Sequence, residues 1–333
     1  MDKRLNALNA WLQTTCDDHG ISLTPASEDA SFRRYFRFTH GARSLIAMDA
    51  PPEHEDIGAF MAVGRRLLEL GLNVPAVIAA DPERGFLLMT DLGSATYLEH
   101  LNADTAQRLY GDALGALVVL QTGTFSDGPG FPAYHRDDLL AEMELFREWY
   151  VPRYAAAQLS PRENRMLDET FAALADSALE QPQVFVHRDY HSRNLMVCPD
   201  NNPGILDFQD AVTGPITYDL VSLLKDCYIA WPDAEVTERA LGYHGLAHQS
   251  GLLADVAEHR FLSWFERMGV QRHLKVLGIF ARLFFRDGKA AYLDDIPLVH
   301  RYLLDATNRH ADLSALRDLL VKMPPTRRDR WTP

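Results

Sequence analysis

The chain is poor in cysteine, in clustered positive charge and in long apolar runs, and each shortage excludes something. Its 333 residues include only Cys16, Cys198 and Cys227, far apart and in no CxxC spacing, so neither a disulfide framework nor a cysteine zinc site is suggested. Reduced thiols fit a cytoplasmic protein. A net charge of −13 without a run of Lys or Arg argues against nucleic acid or an anionic membrane as partner, because both are held by grouped cations. Nowhere do 18 consecutive apolar residues occur, and the amphipathic start MDKRLNALNAWLQTT is too polar for a signal peptide. Internal repeats and low-complexity tracts are also missing. What remains is an ordinary globular composition, 47% apolar, with length for about two domains or lobes.

Periodicity divides the chain unevenly. Within the first hundred residues a helix is expected over about 3 to 18, and SFRRYFRF and RSLIAMD read as strands joined by the hairpin signal THGA. Helical spacing runs from 55 to 71 and stops at Gly71, and VIAAD and GFLLMTDL follow as strands around PERG. Beyond TDLGSAT, helical patterns dominate: roughly 103–122, 137–155, 161–180, 217–230, 233–249, 251–268, 271–286 and 297–320. The expected fold is therefore α+β and two-lobed, with a small lobe over 1–92 and a larger, mostly helical lobe over 93–333.

One stretch, VFVHRDYHSRNLMVCPDNNPGILDFQD at 184–210, sets many polar groups between short apolar runs. VFV and LMV are strand-like, and CPDNNP is a turn-rich loop into GILDF. If LMV and ILDF pair with Val197 facing Gly204, Leu195 meets Leu206 and Asn194 meets Asp207. Cross-strand Cβ atoms lie about 4.5–5.5 Å apart, so one amide oxygen and one carboxylate would converge. Hard cations such as Mg²⁺ favour oxygen donors and often take one or two protein ligands beside substrate phosphates. Asn194 and Asp207 are thus candidate metal ligands. Asp189, five residues before Asn194, brings a third carboxyl that could orient an attacking hydroxyl and receive its proton.

HRDYHSRN with Asp207 thirteen residues after Asn194 resembles the catalytic loop and metal-binding Asp of the protein-kinase-like superfamily, in particular its aminoglycoside phosphotransferase branch. DASFRRYFRF, LIAMDAPPE, LLMTDLG, LDFQDAVTGPITYDLVSLLKDCY and RLFFRDGKAAYLDDIP extend the resemblance to bacterial anomeric sugar kinases, which phosphorylate N-acetylmuramate and N-acetylglucosamine at C1 in cell-wall recycling. The resemblance implies ATP clamped between two lobes, with Mg²⁺ on Asn194 and Asp207 and with Asp189 facing the acceptor hydroxyl. His191 would stand near the transferring phosphate, supported by Arg188 and Arg193. Met89, Thr90, Asp91 and Leu92, running on to Gly93, would offer backbone groups to adenine. Asp210, Arg286 and Tyr292 would shape the sugar pocket, although Arg286 is equally readable as a helix-end salt bridge.

Departures from the family pattern are informative. SEDASFRRYF contains no glycine, so a nucleotide-covering turn there would rely on Ser31, Arg33 and Arg34. Met48 occupies the strand position where a lysine is usual, and Gln209 replaces the glycine after DF. Arg33, Tyr35 and Arg37 alternate as the solvated face of a strand, and Arg34 breaks that alternation. Asp219 follows Asp207 by twelve positions, too few for a peptide-docking platform, so the acceptor should be small. Asp219 itself reads as a brace for the catalytic loop, and His187 as a packed loop residue. The alternatives are a kinase of another small acceptor such as an aminoglycoside or choline, a nucleotide-binding pseudokinase, and a hydrolase with zinc or two metals on His187, Asp189, His191 and Asp207.

Overall fold

The computed structural model describes residues 2–27, 32–123 and 130–325. In chain order its elements are α1 (Lys3–Cys16), β1 (Thr24–Ser27), β2 (Arg34–His40), β3 (Arg43–Asp49), α2 (Ile57–Glu69), β4 (Val77–Asp81), β5 (Phe86–Thr90), α3 (Tyr97–His100) and α4 (Ala106–Thr122). There follow α5 (Arg136–Leu145), a π-helical turn (Phe146–Tyr154), α6 (Pro161–Leu179), β6 (Gln183–Val186), β7 (Leu195–Met196), β8 (Gly204–Ile205) and β9 (Val212–Pro215). The chain ends in α7 (Tyr218–Leu224), α8 (Asp233–Gln249), α9 (Glu258–Asp287), α10 (Ile296–Arg309) and α11 (Ser314–Lys322), with short 3₁₀ turns on either side of α10.

Packing gathers these elements into two compact units, Met1–Thr105 with Arg193–Asp210, and Ala106–Ser192 with Ala211–Pro333. The boundary expected after residue 92 thus falls after Thr105, and the β7–β8 segment, expected in the second lobe, belongs to the first unit. Its backbone explains why. Ile205 donates its N–H to the Asn73 carbonyl (2.8 Å), and Val197 donates to Ala95 (2.7 Å).

In the first unit a five-stranded antiparallel sheet runs in the order β1-β2-β3-β5-β4. Alternate residues Phe36 and Phe38, Leu45 and Ala47, and Phe86 and Leu88 point to one face, where Leu8 and Leu12 of α1 cover them. That helix is started by Asp2, whose carboxylate accepts the N–H groups of Arg4 and Leu5, both at 3.1 Å. α2 buries Ile57, Phe60, Val63 and Leu67, each large side chain contributing roughly 1.5–3 kcal/mol on burial. Phe60 meets Phe208 at 4.8 Å between ring centroids, and a Cβ on Gly64 would lie 3.2 Å from the Phe208 ring. The segment bearing Asp207 is thereby pinned to a helix.

The β7–β8 register differs by one residue from the expected pairing: Leu195 faces Ile205 and Met196 faces Gly204. Asn202 gathers the connecting loop by accepting the Cys198 N–H at 3.0 Å. Gly204 packs so closely that a Cβ there would stand 2.9 Å from both Cys198 Sγ and a Leu92 methyl.

The second unit is helical around a two-stranded β6–β9 ribbon, in which Val184 faces Gly214 and Val186 faces Val212. β9 escapes a sequence reading because its VTGP carries the two residues least typical of strands. α9 is a single helix of 30 residues, where two helices, 251–268 and 271–286, were expected. Met268 to Gly278 are buried without interruption, so the polar–apolar alternation that reveals a surface helix vanishes in its middle. Conversely, the single helix expected over 297–320 is broken at His310, whose extended backbone separates α10 from the turn before α11. No helix among the described residues is long and apolar enough to cross a membrane.

Candidate active site

The loop 187–192 leaves β6 and is held by side chains from α7, from the segment after α7 and from α9. The buried Asp219 accepts the N–H groups of His187 (2.6 Å) and Arg188 (3.0 Å), which is the bracing role read from the sequence. Asp226 accepts the Ser192 N–H at 2.9 Å. Arg272 Nη1 donates to the Arg188 carbonyl at 2.9 Å, and Tyr190 donates its hydroxyl to the Ala113 carbonyl at 2.8 Å. Arg188 has φ +77°, a left-handed conformation that costs a residue with a side chain roughly 1–2 kcal/mol, so its backbone is gripped on both sides where it is strained. His187 is fully buried and its Nδ1 accepts the Asp189 N–H at 3.3 Å.

Asp189 follows this strained residue with its side chain 48% exposed. Enclosure by protein would raise its carboxyl, but Arg272, at 3.8 Å from Oδ1, together with His191, Lys275 and His187 outweighs that and holds it at about 2. It is anionic at any working pH and a weak base. His191 lies in the same unit, Nε2 4.0 Å from Asp189 Oδ1, its ring edge-on to Tyr228 at 5.5 Å. Among the described residues its buried Nδ1 has no hydrogen-bond partner.

Behind the loop lies a buried ionic cluster. Glu142 accepts from Lys275 Nζ (2.7 Å), Arg188 Nη2 (3.0 Å), Gln271 (3.2 Å) and the Tyr134 hydroxyl. Burial alone would raise the Glu142 carboxyl, yet Lys275, Tyr134 and Arg188 keep it below the ordinary range. Glu142, Asp226, Arg272 and Lys275 were not singled out from the sequence. The last two sit in the uniformly buried middle of α9, where no periodicity marks them.

In the first unit Asn194 and Asp207 come together as expected, Nδ2 to Oδ2 at 3.4 Å, although not as directly paired residues. Asp207 turns out of the strand with φ +64°, and this turn compensates for the shifted register. Gln209 donates to Asp207 Oδ1 at 2.8 Å, and the Asp207 side chain is 41% exposed. One carboxylate and one amide, with the amide rotated to present its oxygen, fit what a hard cation bound chiefly to phosphate requires.

The basic residues proposed for the nucleotide separate in the structure. Arg33 is not on a solvated face: its side chain is 12% exposed, Nε donates to Glu55 at 2.8 Å and Nη1 lies 3.9 Å from Asp207 Oδ1. Arg34 is tied with Arg4 to the fully buried Asp49 and also pairs with Asp2. Ser31 lies outside the described residues. Met89 and Thr90 are paired in β5, and the Thr90 hydroxyl accepts the Ala76 N–H at 2.8 Å. The Asp91 carboxylate binds Arg37 (2.6 and 2.9 Å) and the Gly93 N–H (2.9 Å). Leu92 accepts weakly from the Cys198 thiol through its carbonyl, at 3.7 Å. Met48 is a core residue, 1% exposed.

Of the residues read as sugar-binding, Asp210 is exposed in the first unit. Arg286 makes a two-point pair with the adjacent Asp287 at 2.7 and 2.9 Å, the helix-end salt bridge allowed for above. Tyr292 is half-buried against Phe280, 5.2 Å between ring centroids. Among the described residues no three His, Cys, Asp or Glu side chains form a metal-holding group.

An antiparallel-sheet unit bearing an Asn–Asp pair, and a helical unit bearing a braced HRD-type loop, define the protein-kinase-like class. Solved structures agree on the fold: aminoglycoside phosphotransferase APH(4)-Ia superposes with a TM-score of 0.60 at 14% identity, over 91% of this chain and 98% of that one. A ternary complex of its thermostable mutant with ADP and hygromycin B gives 0.59 at 14% identity, over 92% and 99%. Residues 22–262 match the model of the phosphotransferase enzyme family, and the chain belongs to that family. A protein of Pseudomonas aeruginosa named N-acetylmuramate/N-acetylglucosamine kinase is 43% identical over 334 residues, 97% of this chain and 98% of its own. A protein of the same name from Neisseria meningitidis is 42% identical over 321 residues, 95% of each chain.

Proposed function

We propose that this phosphotransferase is an ATP-dependent kinase of the anomeric (C1) hydroxyl of N-acetylmuramate and N-acetylglucosamine, serving peptidoglycan recycling. The sugar is supported by relatives of that name matching nearly end to end. Use of ATP is supported by family membership and by the nucleotide in a structural neighbour. The observation that carries the catalytic part is the Asn194–Asp207 pair at 3.4 Å, five residues along the chain from a half-exposed, cation-flanked Asp189.

In this reading Asn194 and Asp207 hold Mg²⁺, which when bound offsets charge on the transferring phosphoryl group. The acceptor oxygen bonds to the γ-phosphorus, the bond to the ADP oxygen breaks, and the hydroxyl proton passes to Asp189 and on to solvent. A carboxylate held at about 2 takes that proton late, so Asp189 contributes mainly direction. His191 assists near the phosphate, Arg33 supports the nucleotide phosphates, and the backbone just beyond β5, at Asp91 and Leu92, receives adenine. Asp210 and Tyr292 contact the sugar.

The test is incubation with Mg·ATP and a panel of amino sugars, aminoglycosides and choline, with the new phosphate located by ³¹P NMR. A 1-phosphate on an N-acetylated sugar is expected. A phosphorylated antibiotic or choline would move the acceptor class, and no phosphorylated product from any acceptor would sink the reading.

A further inference from the structure

We propose that Arg272 is a positioning residue for Asp189: from the buried middle of α9 it fixes the direction of that carboxylate by clamping the carbonyl of the residue before it and standing beside its Oδ1. The proposal rests on the reading of Asp189 as the acceptor-orienting group.

The placement of Arg272 is costly. It lies in a stretch of helix buried on every side, Met268 to Gly278, and is itself 6% exposed. A guanidinium taken out of water must recover its hydration from well-placed partners, and ion pairs in such positions often add little to stability compared with apolar residues of similar volume. A role in shaping the loop accounts for the position better than a role in holding the fold.

What Arg272 touches is the backbone and side chain that aim Asp189. Nη1 donates to the Arg188 carbonyl at 2.9 Å, and Nη2 stands 3.8 Å from Asp189 Oδ1. The guanidinium plane is supported by the Tyr218 ring, 5.0 Å to its centroid. Arg188 adopts the left-handed conformation at φ +77°, and Asp219 holds its N–H at 3.0 Å on the opposite side of the residue. The two grips differ in kind. Asp219 hydrogen-bonds the backbone before Asp189, whereas Arg272 spans that backbone and stands beside the carboxylate itself. A planar fork holds its donors at fixed angles to one another, which a compact ammonium on a flexible stem does not.

The experiment compares Arg272→Gln and Arg272→Lys in the full chain, each alone and with Asp189→Asn. Arg272→Gln is expected to lower kcat by about 10²-fold, the cost of misplacing a catalytic group by an ångström, with KM for Mg·ATP unchanged. Arg272→Lys keeps the charge and loses the fork, and should fold if the glutamine variant does not; its expected kcat loss is about 10-fold. In the Asp189→Asn background neither change should slow the enzyme further, since the group being positioned is gone. Equal losses in both backgrounds, or an unchanged kcat, would overturn the proposal. Amide hydrogen exchange of ligand-free protein keeps this separate from the functional reading: the 188–191 amides should exchange at least ~10-fold faster in the Arg272 variants, and unchanged exchange rejects the clamp. A wild-type chain that phosphorylates no acceptor sinks the functional reading, and exchange still decides whether Arg272 holds the loop.

Discussion

Asp207 and Asp189 have nearly equal side-chain exposure, 41% and 48%, yet each is surrounded by different chemistry. Asp207, in the first unit, takes its short hydrogen bond from an amide, Gln209, and has another amide, Asn194, at 3.4 Å. Amides orient a carboxylate without neutralising it, and Arg33, whose Nη1 stands 3.9 Å from Asp207 Oδ1, is itself bonded to Glu55. Asp189, in the second unit, is set among Arg272, Lys275 and two histidines. The difference teaches that two carboxylates of similar exposure are given different chemical neighbours. In the proposed reading, a carboxylate hydrogen-bonded by amides suits a cation that arrives with the substrate, whereas one flanked by Arg272 and Lys275 steers a neutral hydroxyl.

The comparison breaks most easily at Asp207. Asp207→Asn should lower kcat by about 10³-fold, the upper range for loss of one electrostatic stabiliser at a reacting centre, and should raise the Mg²⁺ concentration needed for half-maximal rate. Asp189→Asn should cost at least ~10²-fold in kcat while leaving nucleotide affinity, measured by calorimetry, nearly intact. If the two variants exchange these signatures, the assignment of metal seat and steering group is reversed.

The arginines of the first unit sharpen the comparison at a smaller scale. Arg33→Gln should raise KM for Mg·ATP by about 10-fold, the size of one charge-assisted hydrogen bond. Arg34→Gln should leave KM unchanged and lower Tm instead, since it withdraws a partner from the buried Asp49. A shared effect on KM would show that both cations reach the nucleotide.

Which of these features were legible in the sequence depended on how local they were. β2 could be read because one face is partly exposed and the other meets α1, leaving an alternation at Phe36 and Phe38 that survives in the letters. The Asn194–Asp207 pair was found through a register one residue in error; it holds because Asp207 leaves the strand in a left-handed turn that spacing alone does not reveal. Arg272, Lys275 and Glu142 stayed hidden for the opposite reason. They are brought together by helix packing across more than a hundred residues of chain, and a helix buried on all sides has no apolar stripe to betray its polar members. Gly278 marks how tight that packing is, for a Cβ there would fall 2.2 Å from the Leu145 backbone.

Within the second unit the comparison can be carried to a finer level, between Asp189 and its neighbour Asp219, through stability against pH. Burial, opposed by the N–H donors of His187 and Arg188 and by Arg272 but reinforced by the charge of Asp189, pushes the Asp219 carboxyl from 3.8 up to about 7. The folded state then binds the proton more tightly than the unfolded chain. What Asp219 contributes to stability is fully present below about pH 4 and is lost as pH rises through about 7, above which both states are ionised and the dependence levels off. Asp189, held at about 2, has the opposite sign: its contribution is present above about pH 4 and fades only as pH falls towards 2. Between pH 4 and 7 Asp219 therefore acts without interference from Asp189. Wild-type Tm, measured relative to Asp219→Asn so that other groups cancel, should fall across that window by an amount on the order of a few degrees. Parallel Tm curves would show that Asp219 is already ionised at pH 4, with the two N–H donors outweighing burial, and the loop brace would then be a full charge on the same footing as Asp189.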